Sequence, residues 1–297
     1  MTALLSRAAL GLLWLLHWLP LPVLAALGDV LGRLLYRLAR SRRRVARRNL
    51  ELCLPELAPA EREDIVRRNF RWMARSLLER GILWYASAAR LRRLIRVEGD
   101  VKFAEAHPAI PVMWLAPHFV GLDIAGSTTQ LHQSRGVCSI YQKQSNEVFD
   151  RAVLAGRGRF GQGAIFSRHE KALRLIRGIG RHGWAFFNLP DMDFGAAEAA
   201  FVPFFGVPAA TLLAPSRMAH SLGMTVQPVI AAILPGGRGY LVRYLDPWTD
   251  WPTDDPVADA ARMNAWIETE VRRNPTQYLW MHRRFKTRPP GEPPLYR

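Results

Sequence analysis

The sequence predicts an α/β fold, a mixed sheet flanked by helices, with an N-terminal membrane-anchoring helix in front of it. Three observations carry that expectation. After Gly99, short apolar runs alternate with amphipathic segments, the pattern of strands and their covering helices. Residues 8–27, AALGLLWLLHWLPLPVLAAL, contain no acidic or basic side chain except one histidine, and are about as long as a bilayer crossing requires. Between these blocks, apolar residues recur mostly at helical spacing in a basic background. The chain therefore divides into an anchor over 1–30, a basic helical region over 31–95 and an α/β domain over 96–297.

The anchor segment is followed by eight arginines between Arg33 and Arg48. A secretory signal peptide is the competing reading, with Val23 and Ala25 before a cleavage site. The arginines favour an uncleaved anchor with the rest of the chain on the cytoplasmic side, and make anionic lipids a partner. Pro20 and Pro22 kink or interrupt the segment, which either spans the bilayer or lies in its surface. In the basic region, Val45, Leu50, Ile65, Phe70 and Leu77 mark helical faces, with a break over 55–59 at Pro55 and Pro59. Asn49 and Asn69 gain no role from the sequence.

In the α/β domain, AIPVMWLAP, RGVCSIY, GWAFFNLP, VQPVIAAIL and GYLVRYLDP read as strands. DIAGSTTQLH, EVFDRAVLAG, HEKALRLIRGIG, TLLAPSRMAHSLG and DPVADAARMNAWIETEVRRN read as helices. The net charge of +16 and 49% hydrophobic content, with ten Trp, imply an anionic partner and shift the balance from nucleic acid toward membrane or acidic protein. Cys53 and Cys138 have no metal-ligand spacing and make no disulfide framework.

The candidate chemistry centres on His118 and Asp123. The run before Pro117 brings His118 out at the carboxyl end of a strand, where open α/β sheets bind ligands. A spacing of five needs the turn to bring imidazole and carboxylate together; a carboxylate on one ring nitrogen leaves the other to take a proton from a hydroxyl. No serine or cysteine stands beside the pair, so the attack is expected to come directly from a substrate hydroxyl. The bland alternative is a pair of turn and capping residues.

Two stretches match the dinucleotide glycine pattern, GRGRFG at 156–161 and GIGRHG at 178–183. Neither follows a strand and opens a helix, as a dinucleotide site requires; Gly178 or Gly180 ending a helix explains the second. Arg157 and Arg159 suit a phosphate, or form a solvated basic loop. Asp191 and Asp193, in NLPDMDFG, are placed to orient an arginine, bind a metal or shape a turn. AAFVPFFGVPAAT, punctuated by Pro203, Gly206 and Pro208, reads as a rigid, irregular surface suited to the lining of an alkyl tunnel, or as ordinary core. In NPTQYLWMHRRFKTRPPGE, Arg283, Arg284 and neighbouring aromatics suit headgroup phosphates.

These features in this order resemble the lipid A biosynthesis acyltransferases of Gram-negative bacteria, the late lauroyl/myristoyl transferases of the glycerolipid acyltransferase superfamily. The resemblance rests on the apolar start with its arginines, H-x4-D at His118 and Asp123, GRGR through Arg159, PDMDFG followed by FVPFFGVPAAT, and QYLWMHRRFKTRPPG. It implies a glycerolipid-acyltransferase-like fold and a bacterial inner-membrane location, with the catalytic domain on the cytoplasmic face. The implied reaction moves a fatty acyl group from acyl carrier protein to a hydroxyl of a Kdo-bearing lipid A precursor, without metal or organic cofactor and without nucleic acid. His118 would act as general base and Asp123 would hold its imidazole. Arg157 and Arg159 would bind acceptor phosphate or sugar carboxylate, with Asp191 and Asp193 orienting them, and Arg283 and Arg284 would add substrate contacts. The family often has glutamate where this chain has Asp123, one methylene shorter. Alternatives are another lipid or glycolipid acceptor, a thioesterase side activity, and a non-catalytic basic membrane-binding protein.

Overall fold

The structure, a computed structural model, describes residues 3–167 and 172–296. The chain opens with five helices: α1 (Ala3–Leu16), α2 (Leu21–Leu38), α3 (Arg40–Cys53), α4 (Pro59–Tyr85) and α5 (Ala88–Leu94). Then follow β1 (Ile95–Glu98), α6 (Phe103–Ala106), β2 (Val112–Leu115), α7 (Leu122–His132), β3 (Val137–Tyr141), α8 (Glu147–Arg157), β4 (Gly163–Ser167), α9 (Ala172–His182) and β5 (Ala185–Asn188). The last third holds β6 (Ala199–Phe204), β7 (Val207–Leu212), α10 (Ala214–Ser221), β8 (Thr225–Ile233), β9 (Tyr240–Tyr244) and α11 (Pro256–Arg273).

Seven strands form one mixed sheet in the order β1-β9-β8-β2-β5-β3-β4. Every neighbouring pair is parallel except β8 with β9. The central strands β2 and β5 are buried along their whole length, as expected where helices cover both faces. Alternation sorts their side chains: Met113 and Leu115 enter one core cluster, Val112 and Trp114 the other. The α/β architecture with helices on the sheet's faces is the one the sequence predicts.

The N-terminal membrane anchor is not. A turn over residues 17–20 divides the apolar segment between α1 and α2, with Pro20 directly before α2. α1, with 14 residues, measures about 21 Å, against about 30 Å of hydrocarbon. α2 carries Asp29, Arg33 and Arg37. Among the described residues no helix is long and apolar enough to cross a membrane. The spanning anchor, and the inner-membrane location that rested on it, are therefore corrected. Instead α2 packs on α4 at close backbone range: a Cβ on Gly28 would come within 2.8 Å of the Arg75 Cα, and one on Gly32 within 2.4 Å of the Arg71 Cα. The opposite sides of α1 and α2 leave Leu12, Trp14, Trp18 and Leu34 exposed.

Other local differences have simple causes. The stretch AAFVPFFGVPAAT is a two-stranded hairpin, β6–β7, not an irregular surface. Pro203 and Pro208 face each other in that pair, and a two-stranded ribbon has two edges on which a missing N–H is tolerated. Phe205 and Gly206, both at positive φ, make the turn. Helix α9 runs through Gly178 and Gly180 to His182, so the glycine that ends it is Gly183, at φ +63°. The predicted helix over 169–180 is described from Ala172 onward; its first residues lie outside the described ones.

Candidate active site

The sheet register sets the centre of the site. Leu115 of β2 stands opposite Asn188 of β5 in a parallel pair, so residues three beyond each strand position, His118 and Asp191, leave the same edge side by side. Asp191, with a side chain 1% exposed, accepts from the His118 imidazole, Nδ1 to Oδ1 at 2.7 Å. It also accepts from the backbone N–H of the same histidine, at 3.1 and 2.9 Å. Burial raises the Asp191 carboxyl, but the His118 charge and hydrogen bonds, with the Tyr278 hydroxyl, more than offset it and leave it below the ordinary carboxylate range.

Asp123 therefore does not hold the imidazole, as the spacing along the chain had led us to expect. Its carboxylate lies between two guanidinium groups, Arg80 Nη2 on Oδ2 and Arg157 Nε on Oδ1, each at 2.8 Å. Burial pushes Asp123 up, but Arg157 and Arg80 together overcome it and hold the group at about 2. Asp123 opens α7, where Gly121 precedes the helix because a Cβ there would stand 2.7 Å from the Ala231 carbonyl oxygen. The expected Asp191–arginine pairing is replaced by Asp123–Arg157, since Asp191 is taken by the histidine.

The remaining predicted residues divide. Asp193 accepts from the Thr287 N–H and hydroxyl, both at 2.8 Å, and from the Gly195 N–H at 2.9 Å; it fixes a turn against the C-terminal segment and, among the described residues, pairs with no arginine. Its own N–H donates to His282 Nε2 at 3.1 Å, which requires that nitrogen to be unprotonated. Burial, opposed by Asp191 and aided by His118 and Arg284, lowers His282 to about 4. Arg284 is 3% exposed and donates to the Ala210 carbonyl and the Thr211 hydroxyl, each at 2.8 Å. It holds the hairpin, and it also lines the small cavity beside His118 and Asp191. Arg283 is exposed over the Tyr296 ring. Arg159 is exposed beyond α8 and stacks on Phe160, 4.5 Å from the ring centre. The alkyl-tunnel reading of the FVPFFG stretch gives way to core packing: Val202, Phe204 and Ala209 are buried.

Three carboxamides hold the site together, and the sequence analysis gave none of them a role. Asn69 Nδ2 donates to the Thr276 and Tyr278 carbonyls at 3.0 and 2.7 Å. Asn49 Nδ2 donates to the Trp280 and His282 carbonyls, both at 2.7 Å. Two helices thus grip four alternate carbonyls of one continuous segment. Gln277 pairs with both backbone groups of Ile233, at 2.9 and 2.8 Å, as a neighbouring strand would. The segment so fixed in turn holds the histidine loop, through Val120 N–H to the Gln277 carbonyl at 2.8 Å and Leu279 N–H to the His118 carbonyl at 3.0 Å. A usable signal was present: Asn49 and Asn69 sit four residues after Val45 and Ile65, on apolar stripes where an amide needs buried partners.

Two cavities flank this centre. A smaller one, about 280 Å³, is lined by His118, Asp191, His282, Asn49 and Cys53 among others. A larger one, about 640 Å³ with its open part, is lined by Asp123 and Arg157 and mainly by apolar side chains. Both cysteines are free and buried; burial raises the Cys53 thiol and pushes Cys138 up to about 12, which makes neither a nucleophile at neutral pH.

A histidine steadied by a buried carboxylate at the carboxyl edge of a helix-covered sheet is an arrangement chemically able to take a proton from a hydroxyl. Comparison with known proteins narrows this. The profile of the bacterial lipid A biosynthesis acyltransferases matches residues 3–287. The lipid A biosynthesis palmitoleoyltransferase of Escherichia coli K12 is 37% identical over 293 residues, covering 97% of this chain and 92% of that one. The lauroyltransferase of the same organism is 32% identical over 295 residues, 98% and 94% of the two chains. A lipid A biosynthesis acyltransferase of Haemophilus influenzae is 33% identical over 281 residues, 93% and 88%. The chain belongs to the bacterial lipid A biosynthesis acyltransferase family. It is an acyltransferase acting on lipid A-related substrates, with an acyl donor and a lipid A-type acceptor as its partners.

Proposed function

We propose that the chain transfers a fatty acyl group from acyl carrier protein to a hydroxyl of a Kdo-bearing lipid A precursor, with His118 as general base and Asp191 as its carboxylate partner. The observation that carries this is the 2.7 Å contact of His118 Nδ1 with Asp191, which commits that nitrogen as donor and leaves Nε2 to accept a proton. The acceptor hydroxyl gives its proton to Nε2 as its oxygen attacks the thioester carbonyl carbon. The carbon–sulfur bond of the resulting tetrahedral species breaks, the ester remains on the acceptor, and the departing thiolate takes the proton from the imidazolium. Asp191 stabilises the imidazolium while it lasts. Asp123 positions Arg157 and Arg80 at the rim, and Arg159 offers a guanidinium to acceptor phosphate. The net charge of +16 favours encounter with an acidic carrier protein.

Relatives sharing this framework are named for palmitoleoyl, lauroyl and myristoyl transfer, at 37%, 32% and 30% identity. Acyl length is therefore set by a few local side chains and not by the scaffold. Purified protein with charged acyl carrier protein and Kdo-bearing precursor is expected to yield a product heavier by one acyl group, and His118→Ala to abolish it. Thioester consumption that depends on His118 but leaves the precursor unchanged would refute the acceptor and retain the base. Full transfer by His118→Ala would refute the base.

A further inference from the structure

The larger cavity lies between the sheet and helices α4, α7 and α8. Leu83, Trp84, Leu122, Val137, Phe187 and Leu189 give it an apolar wall. Among its polar lining groups, the Ser139 hydroxyl donates to the Phe187 carbonyl and the Tyr141 hydroxyl to Asp150, and Ser127 stands beside Gly126. At the carboxyl edge of the sheet, nearest the His118 loop, are Asp123 and Arg157. At the other end is Gln130, whose carboxamide is occupied on both sides, donating to the Arg157 carbonyl at 2.6 Å and accepting from the Phe160 N–H at 3.3 Å. A polar floor with its hydrogen bonds already made has nothing to offer a ligand, and the wall above it suits hydrocarbon.

Helix α7 runs along one side of this space. Leu122, Gly126 and Gln130 all line it; they are successive positions four apart, so the lined face is about 12 Å long. Gly126 stands at the midpoint. A Cβ placed there would meet no atom within 4 Å, unlike Gly156 across the cavity, where it would strike the Trp84 indole at 2.3 Å. Packing therefore explains Gly156 and does not explain Gly126. A glycine inside a helix loses about 1 kcal/mol of helix stability relative to alanine, and what it provides here is open depth.

We propose that this cavity receives the acyl chain being transferred and that Gly126 sets the length it accepts, by leaving the half of the cavity below it unobstructed. The inference rests on the acyl-transfer reading of His118. A side chain at 126 projects into the slot halfway down, and hydrocarbon that no longer fits loses roughly 10-fold or more in selection per methylene.

The test compares wild type, Gly126→Ala and Gly126→Leu in competition among acyl carrier proteins charged with saturated chains from eight to eighteen carbons, with product masses as the readout. Gly126→Leu is expected to move the preferred length roughly two to four carbons shorter, with Gly126→Ala between it and wild type, and with transfer of the newly preferred chain within about fivefold of the wild-type rate. A uniform fall at every length, or an unchanged profile, overturns the proposal. Calorimetric titration with free fatty acids of the same lengths separates this from the reaction itself. If wild type transfers nothing yet Gly126→Leu loses affinity for long chains alone, the slot stands and the transfer reading fails; if affinity shows no length-dependent change, the slot fails.

Discussion

Asp191 and Asp123 stand at one edge of the sheet, and both carboxyls are held below their ordinary range, but by different partners. Asp191 spends its oxygens mainly on the imidazole and backbone of His118, with the Tyr278 hydroxyl as a further donor. Asp123 is shared between Arg80 of α4 and Arg157 of α8. The first arrangement controls which ring nitrogen of a base carries a proton; the second neutralises two cations and ties two helices to the start of α7. A lowered carboxyl pKa at an active edge thus does not itself identify a partner in proton transfer, since two guanidinium groups lower it as well as an imidazole does.

Substitutions separate the two roles. Asp191→Asn is expected to lower kcat by roughly 10³- to 10⁴-fold, because the amide no longer selects the tautomer, while KM and the unfolding midpoint stay close to wild type in steady-state and denaturation measurements. Asp123→Ala is expected to act first on stability, removing about 3 kcal/mol in urea unfolding, since two partly buried guanidinium groups lose their counter-charge. Should Asp123→Asn instead match the kcat loss of Asp191→Asn with unfolding unchanged, Asp123 belongs to the chemistry and the contrast collapses.

A milder probe reaches the segment on which the Asp191 corner rests. Asn69→Ala strands the Thr276 and Tyr278 carbonyls and is expected to lower unfolding free energy by about 2 kcal/mol. Protease cleavage near the C-terminal segment should rise with it; unaltered stability would show that the carbonyls find other donors. The smallest expected effect concerns pH. His282 lies at about 4 in the folded chain against 6.5 for the free side chain. The unfolded chain therefore binds the proton first, and stability falls as pH drops from about 6.5 toward 4, by about 1–2 kcal/mol at pH 5. His282→Gln, which keeps an acceptor for the Asp193 N–H, is expected to flatten that slope. Asp123 responds in a separate window, its contribution being complete above about pH 4 and lost as pH falls through about 2.

The apolar run Val112–Leu115 and Pro117 made the strand and the histidine beyond its end legible in the sequence, and the alternation after it made the helix-flanked sheet legible. The histidine's partner was not, because spacing rules count along the chain while Asp191 arrives across it, through the pairing of Leu115 with Asn188. Arg80 was hidden for the same reason, in a helix separated from that of Asp123 by four other elements. The hairpin escaped because its prolines read as breaks until their mutual pairing is seen. The anchor misled because hydropathy totals over 8–27 take no account of a turn that splits the segment, nor of a helix that gives one face to α4.

The grip of Asn49, Asn69 and Gln277 on residues 276–282 has a consequence for synthesis. A nascent chain that has emerged only through α11 contains the whole sheet, His118 and Asp191, yet the loop between Pro117 and Gly121 then lacks two of its ties, because the Val120 N–H and the His118 carbonyl find their backbone partners in Gln277 and Leu279. The ribosome can thus release a nearly complete domain without releasing a working one. Activity is expected only once residues 276–282 have emerged as well, late enough that a half-made chain consumes no acyl donor.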